Sequence, residues 1–331
     1  MTTVLMIMAL GVAPAAPPDA KPGLPPPDGA AAATARGEAE AKQDRWGKAV
    51  GHYDEAIRLD PTFAPAFRAR ALAWWAKGDT AKALGDLTEA IRLDPRDSRT
   101  LGIRAVLLTH RGQVEKALAD AEEAIRLDPA YALPYQARAS LRVHAGKLDE
   151  ALRDANEAVR LDPANAHVYT TRAGVWGAAG DLPKALEDMS RAVRLSPRDA
   201  KLLVSRAACQ RAMKAWDKVL NDLDEAVRLD PENAAAWSDR AWIRATCPDG
   251  KVRDGKMAVV DATHACRLSS WRDGNHLTAL AAAYAESGEF AEAVKFARLS
   301  MEFPAGGSDW GDRAKKRLSL YEARQPYRTG E

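Results

Sequence analysis

A proline returns at a fixed interval in this chain: Pro61, Pro95, Pro129, Pro163, Pro197 and Pro231, each 34 residues after the last. The phrase that carries it, "EAIRLDP", is spelled identically from Glu55, Glu89 and Glu123. It softens to "EAVRLDP" at Glu157 and Glu225 and to "RAVRLSP" at Arg191. A register held over six turns restricts the chain to stacked copies of one small unit. A unit of that size cannot bury its apolar face alone, so the copies must pack on each other.

Each unit reads the same way. Between Ala64 and Asp97, Phe67, Ala71 and Trp74 fall at helical spacing, and Ala83, Leu87 and Ala90 mark one face of a second helix. Gly78 stands where the first helix should end in a left-handed residue. Gly112, Gly146, Gly180 and Gly288 stand at the equivalent place, with Ala215 as the exception. The proline closes the second helix, because it disfavours helix in the residue before it and offers no N–H. An Asp or Asn two residues on (Asp97, Asn165, Asp199, Asn233) is placed to cap the next first helix. Within the phrase, Glu55 and Arg58 read as solvated and Ala56 and Leu59 as packed.

One polar residue breaks the apolar pattern at one recurring position: Arg36, Arg70, Arg104, Arg138, Arg172, Arg206 and Arg240. A buried guanidinium needs a partner. The second helix supplies an acid at one constant position, Asp86, Asp120, Asp154, Asp188, Asp222 and Asp261, with His52 and Phe296 in its place at the two ends. The spacing predicts a ladder of Arg–Asp pairs between first and second helices, structural rather than an anion site, holding register more than adding stability.

A 34-residue helix–turn–helix unit with large, small and proline positions at Phe67, Ala71, Trp74, Ala83, Leu87, Ala90 and Pro95 resembles the tetratricopeptide repeat, departing from it at Arg70, where that family usually has Leu. The resemblance implies an all-α fold: a right-handed superhelical solenoid of antiparallel helix pairs with a C-terminal capping helix. Eight units are expected, at 30–63, 64–97, 98–131, 132–165, 166–199, 200–233, 234–272 and 273–304, followed by a capping helix over 308–324. The seventh is irregular, because "TCPDGKVRDGK" (Thr246 to Lys256) lengthens its inner turn by five residues and "RLSSW" replaces "RLDP". The ending, through "LAAAYAESGEFAEAV" to "LYEARQPYR", looks like a C-terminal cassette of bacterial tetratricopeptide repeat proteins.

The N-terminus follows other rules. "VLMIMALGVA" (Val4 to Ala13) is too short to span a bilayer and ends in small residues, which fits a signal peptide over 1–16. A Pro/Ala-rich linker over 17–29 follows. Export to a periplasmic or extracellular space is therefore expected, with a cytoplasmic location if the segment is no signal. A membrane association is expected only if the segment stays uncleaved.

No enzyme signature appears: neither a phosphate-binding G-x-x-x-x-G-K-[ST] nor H-E-x-x-H nor G-x-S-x-G. The formal net charge of +2 gives no nucleic-acid footprint. Cys209, Cys247 and Cys266 form no C-x-x-C, and no disulfide is expected between Cys247 and Cys266, which should lie at opposite ends of their unit. His110 and His144 share one repeat position without a third ligand, so they read as solvated side chains rather than a metal site. No catalytic residue, metal or cofactor is expected.

What remains is surface. The family resemblance implies a concave groove lined by the first helices. Its candidate residues here are Arg68, Trp75, Arg99, His110, Gln136, His144, His167, Lys201, Arg211 and Trp242. The corresponding positions of units two to seven carry four Arg or Lys, three His and no acid. That predicts a mildly basic groove for an extended, acidic or C-terminal peptide, in a non-catalytic scaffold. The Lys/Asn carboxylate clamp of some relatives is not reproduced, since Thr34 and Glu38 occupy the matching places. The alternative is an accessory or tethering subunit of a membrane-associated enzyme or transport assembly.

Overall fold

A computed structural model of the chain describes residues 29–303 and 310–329. The signal-peptide and linker expectations over 1–28 lie outside the described residues. Seventeen helices and no strand occur among those described. Two compact units divide after Leu195.

In the first unit, five helix pairs follow one another: α1 (Ala30–Ala41) and α2 (Trp46–Leu59), α3 (Ala64–Ala76) and α4 (Thr80–Leu93), α5 (Ser98–His110) and α6 (Val114–Leu127), α7 (Ala132–His144) and α8 (Leu148–Leu161), α9 (Ala166–Ala178) and α10 (Leu182–Leu195). The second unit holds α11 (Ala200–Ala212) with α12 (Trp216–Leu229), α13 (Ala234–Thr246) with α14 (Gly255–Leu268), α15 (Gly274–Glu286) with α16 (Phe290–Glu302), and a last helix, α17 (Trp310–Glu322). Within each unit, each pair packs together and on the next pair. No described helix is long and apolar enough to cross a membrane.

Alanine sets the spacing. Ala83, Ala117 and Ala151 in the second helices are fully buried, as are Ala90, Ala124 and Ala158 one face-repeat later. Methyl-sized side chains let helices approach closely, and Leu87, Ile103, Leu107 and Leu133 fill what space is left. The ends of the first helices are closed locally. In α3, Gly78 takes φ +84° and donates its N–H to Trp75 O, while Asp79 donates to Trp74 O. The sequence reading of Ala215 as the exception in this series needs correcting. The residue 34 beyond Gly180 is Lys214, which takes φ +59°, whereas Ala215 precedes α12 with φ −85°. Caps sit where the spacing put them: Asp97, Asn165, Asp199 and Asn233 accept from Arg99, His167, Lys201 and Ala236 N–H groups respectively.

The Arg–Asp ladder is present. Arg70, Arg104, Arg138 and Arg172 grip Asp86, Asp120, Asp154 and Asp188 with two hydrogen bonds each at 2.6–2.9 Å. In the second unit Arg206 holds Asp222, and Arg240 holds Asp261. These hydrogen bonds raise the Arg206 pKa further above its already high ordinary value. At the first pair, where His52 replaces the Asp, Arg36 turns to Glu55 instead.

The recurring phrase resolves into three parts. Its Glu and Arg form solvated ion pairs one turn apart (Glu89–Arg92, Glu123–Arg126, Glu157–Arg160, Glu225–Arg228). Its Asp folds the turn, with Asp60, Asp94 and Asp128 accepting from the N–H two residues on. Its Ala packs. Its Leu does so only in part: Leu59, expected inside, is 48% exposed, while Leu93, Leu127 and Leu161 are half-buried.

Candidate functional site

Positions 2, 5, 9, 12 and 13 of a helix share one face, so the candidates lie on the first-helix face of their own unit. The structure places them at very different depths. Arg99, His110, His144, Lys201 and Arg211 are exposed, and Arg99, Lys201 and Arg211 make no ion pair among the described residues. His110 is oriented by its own helix, with Nδ1 2.9 Å from Val106 O, and its ring lies 6.3 Å from that of Trp75. His167 is half-buried at the start of α9, its backbone N–H held by Asn165.

Three candidates depart from the expectation of an open basic face. Arg68 is not a free cation: it forms an ion pair with Asp97, the cap of the next first helix, and lies near Glu38. Burial pushes the Glu38 carboxyl up, and the Lys42 and Arg68 charges pull it back. Gln136 is buried at 7% exposure, beneath Thr171 of the next first helix, whose hydroxyl lies 3.4 Å from Gln136 Oε1. Trp242 is covered by the chain's own C-terminal segment.

Tyr131 was missed by the sequence reading, though a signal existed. It occupies the capping position that carries Asp or Asn in five of the other first helices, and it caps nothing. Its ring lies over Gly102, where a Cβ would come within 2.8 Å of it, so this Tyr fills part of the face above α5. Burial raises its phenol pKa, and its hydroxyl has no partner.

The covering of Trp242 is built from the C-terminal end of the second unit. After α17, Arg324 takes φ +56° and reverses the chain, with Gln325 donating to Leu320 O. Residues 326–329 then run half-buried along the first-helix face. The Tyr327 ring stands 5.7 Å from Trp242, and the Arg317 guanidinium lies over both rings at 5.8 and 5.9 Å. Arg328 reaches Glu286, the last residue of α15, at 2.7 Å, and Glu286 also holds Arg253 at 2.9 Å. Thr329 donates its N–H to Thr246 O at 3.0 Å, and the two threonine hydroxyls are 2.8 Å apart.

The chemistry this offers is recognition. Among the described residues no group of three or more His, Cys, Asp or Glu is placed to hold a metal. The three cysteines are free, and burial pushes the Cys266 thiol up to about 12. The model of the family described as "Tetratricopeptide repeat" matches residues 19–62, 68–132 and 137–200, more than half of the chain. The chain belongs to the tetratricopeptide repeat family. No curated protein matches it at a significant level. Among solved structures, yeast Tom70 is similar at a TM-score of 0.60 and 17% identity, covering 98% of this chain and 69% of that one. The Cut9–Hcn1 hetero-tetramer of APC/C is similar at 0.66 and 15%, covering 86% and 55%. The human IFIT1 dimer with PPP-AAAA is similar at 0.62 and 15%, covering 84% and 73%. At these identities the likeness shows the fold alone. Tetratricopeptide repeat proteins mediate protein–protein or protein–peptide interaction, and this chain is built on their plan.

Proposed function

We propose that this protein is a non-catalytic scaffold whose first-helix faces bind an extended, acidic protein segment. The observation that carries the reading is the set of exposed cations without an ion pair, Arg99 on the first unit and Lys201 and Arg211 on the second. A negative segment meeting the cations of either unit gains attraction in the encounter, and the preformed helix face of that unit gives it register. Arg68, neutralised by Asp97, is not part of that set. A formal charge of only +2 argues against a nucleic-acid partner, although the IFIT1 relative is seen with PPP-AAAA.

The test begins with co-purification from the native host and mass spectrometry of what elutes with salt. Reversing Arg99, Lys201 and Arg211 to Glu should then abolish capture of that partner while the helical circular dichroism and melting point hold. Capture unchanged at low salt by the triple reversal would overturn the reading, and so would an eluate of nucleic acid. Export is proposed from the apolar segment Val4 to Ala13 alone. Sequencing the N-terminus of the purified protein decides it: a start near Pro17 supports export, and an intact Met1 on membranes supports the tethering alternative instead.

A further inference from the structure

Helix α13 ends unlike the other first helices. In α3 and α5 the last carbonyls are closed by the turn itself, through Gly78 and Asp79 or Gly112 and Gln113. In α13 the next residues are Cys247 and Pro248. Cys247 is extended (φ −55°, ψ 134°) and no glycine follows in a left-handed conformation. The carbonyls of Arg244, Ala245 and Thr246 are therefore left to distant groups. Asp254 at the far end of the long turn takes the first at 2.9 Å. The C-terminal segment takes the other two, Arg328 Nη1 reaching Ala245 O at 3.4 Å and Thr329 N–H reaching Thr246 O. A helix end without a local cap is an acceptor row for whatever donors can lie along it.

Beside that row stand two side-chain seats. The Tyr327 ring stands beside Trp242 and packs on the cluster that holds Ala281, Ala285 and Tyr321, with Arg317 over it. Glu286 is 14% exposed and takes a cation, its other partner Arg253 being tied to the Cys247 and Pro248 carbonyls by the long turn. The spacing is that of three consecutive residues of an extended peptide: aromatic, cationic, then a hydroxyl residue that also donates its backbone N–H.

We propose that this face is a docking site for a partner segment of that kind, aromatic–basic–hydroxyl and extended, and that Tyr327–Thr329 is a built-in copy that holds the site until the partner displaces it. The seated segment is itself the evidence for what the site accepts. It comes after a reversal at Arg324 and is held by ring contacts, one ion pair and a few hydrogen bonds. That is a footing a competing segment can match. The inference shares with the reading above only the premise that first-helix faces take peptides. It calls for a basic rather than an acidic ligand, and its test needs no cellular partner, so the two fail separately.

The probe is a labelled synthetic peptide, acetyl-Arg-Gln-Pro-Tyr-Arg-Thr-amide, followed by fluorescence anisotropy against the full chain. A tethered copy competes at an effective concentration on the order of millimolar. Against a peptide binding in the tens of micromolar, detaching the copy with Tyr327→Ala and Arg328→Glu should therefore tighten peptide binding about 10–100-fold. Adding Glu286→Gln to the detached chain should weaken it again by about tenfold or more, the loss expected when a charge-assisted partner goes. A peptide with the same residues in scrambled order should bind neither chain. The proposal is overturned if the detached chain, folded by circular dichroism, binds no better than the native one, or if it binds the scrambled peptide equally well. Should the double variant not fold, Arg328→Glu alone carries the same comparison with a smaller gain, and no gain there also overturns it.

Discussion

The pairs α5–α6 and α13–α14 follow one plan and finish it differently. In the first, a three-residue turn with Gly112 at φ +68° closes the helix end, and one arginine meets one aspartate, Arg104 on Asp120. In the second, eight residues join the helices, and Asp261 carries two arginines, Arg240 and Arg244, each at 2.7 Å. Five extra residues leave the ladder intact but open the end of α13. The lesson is that the ladder and the helix end are independent parts of the repeat. One fixes how the pair is held together, the other decides what may lie against it.

The sharpest way to break that comparison is to remove the acids. Asp261 is 1% exposed and serves two cations, so Asp261→Ala leaves Arg240 and Arg244 only the half-exposed Asp224 that they share, and should cost about 3–5 kcal/mol, read by urea denaturation. Asp120→Ala deprives one arginine of its acid, at a site 9% exposed, and should cost distinctly less. Equal losses would show that the second arginine at Asp261 contributes nothing.

Next comes close packing. A Cβ at Gly274 would lie 1.9 Å from the Phe303 carbonyl oxygen, a backbone atom that cannot swing aside. Gly274→Ala should cost about 1–3 kcal/mol. Gly85, exposed on α4 with nothing within 4 Å, is the opposite case, and Gly85→Ala should add about 0.5–1 kcal/mol. Smaller still, Lys214 holds the left-handed place that glycine holds in four first-unit turns, so Lys214→Gly should stabilise the α11–α12 pair by about 1 kcal/mol in thermal melts.

The smallest effect expected is on pH. His276 is buried at the start of α15, its Nδ1 3.0 Å from Ser269 Oγ, and burial holds its pKa below the ordinary 6.5. The folded state thus favours the neutral ring. Stability should be full above pH 6.5 and fall as pH drops below it, while Asp273 and Asp239, which face the ring, soften the fall. His276→Gln should flatten melting temperature against pH between about 7 and 5. A profile unchanged by the substitution would assign the acid sensitivity elsewhere.

The ladder was legible because it is arithmetic: Arg and Asp stand 16 residues apart in five pairs, and 21 apart only across the insertion, Arg240 to Asp261. The first-helix face was legible in direction and not in depth. Helical spacing puts Gln136 on the same face as Arg99, but it takes the neighbouring helix and Thr171 to bury it. Arg68 was misread for a similar reason, since its acid partner is a cap, and caps were assigned to backbone N–H groups. The covering of Trp242 had no local signal. Thr246 and Thr329 lie 83 positions apart, and nothing periodic connects them.

The position of Thr329 has a practical side. Its backbone is hydrogen-bonded to the end of α13, so anything fused after Glu331 starts two residues from an occupied docking face. A C-terminal affinity tag would sit at the mouth of that face, where it would tug on the segment or block its replacement. A handle spliced into the exposed turn at Asp249–Gly250 would not be neutral either, because Arg253 ties that turn to Glu286. Labels meant to leave partner exchange undisturbed belong on the outer surface of the second helices, where Glu123 and Arg126 already face water.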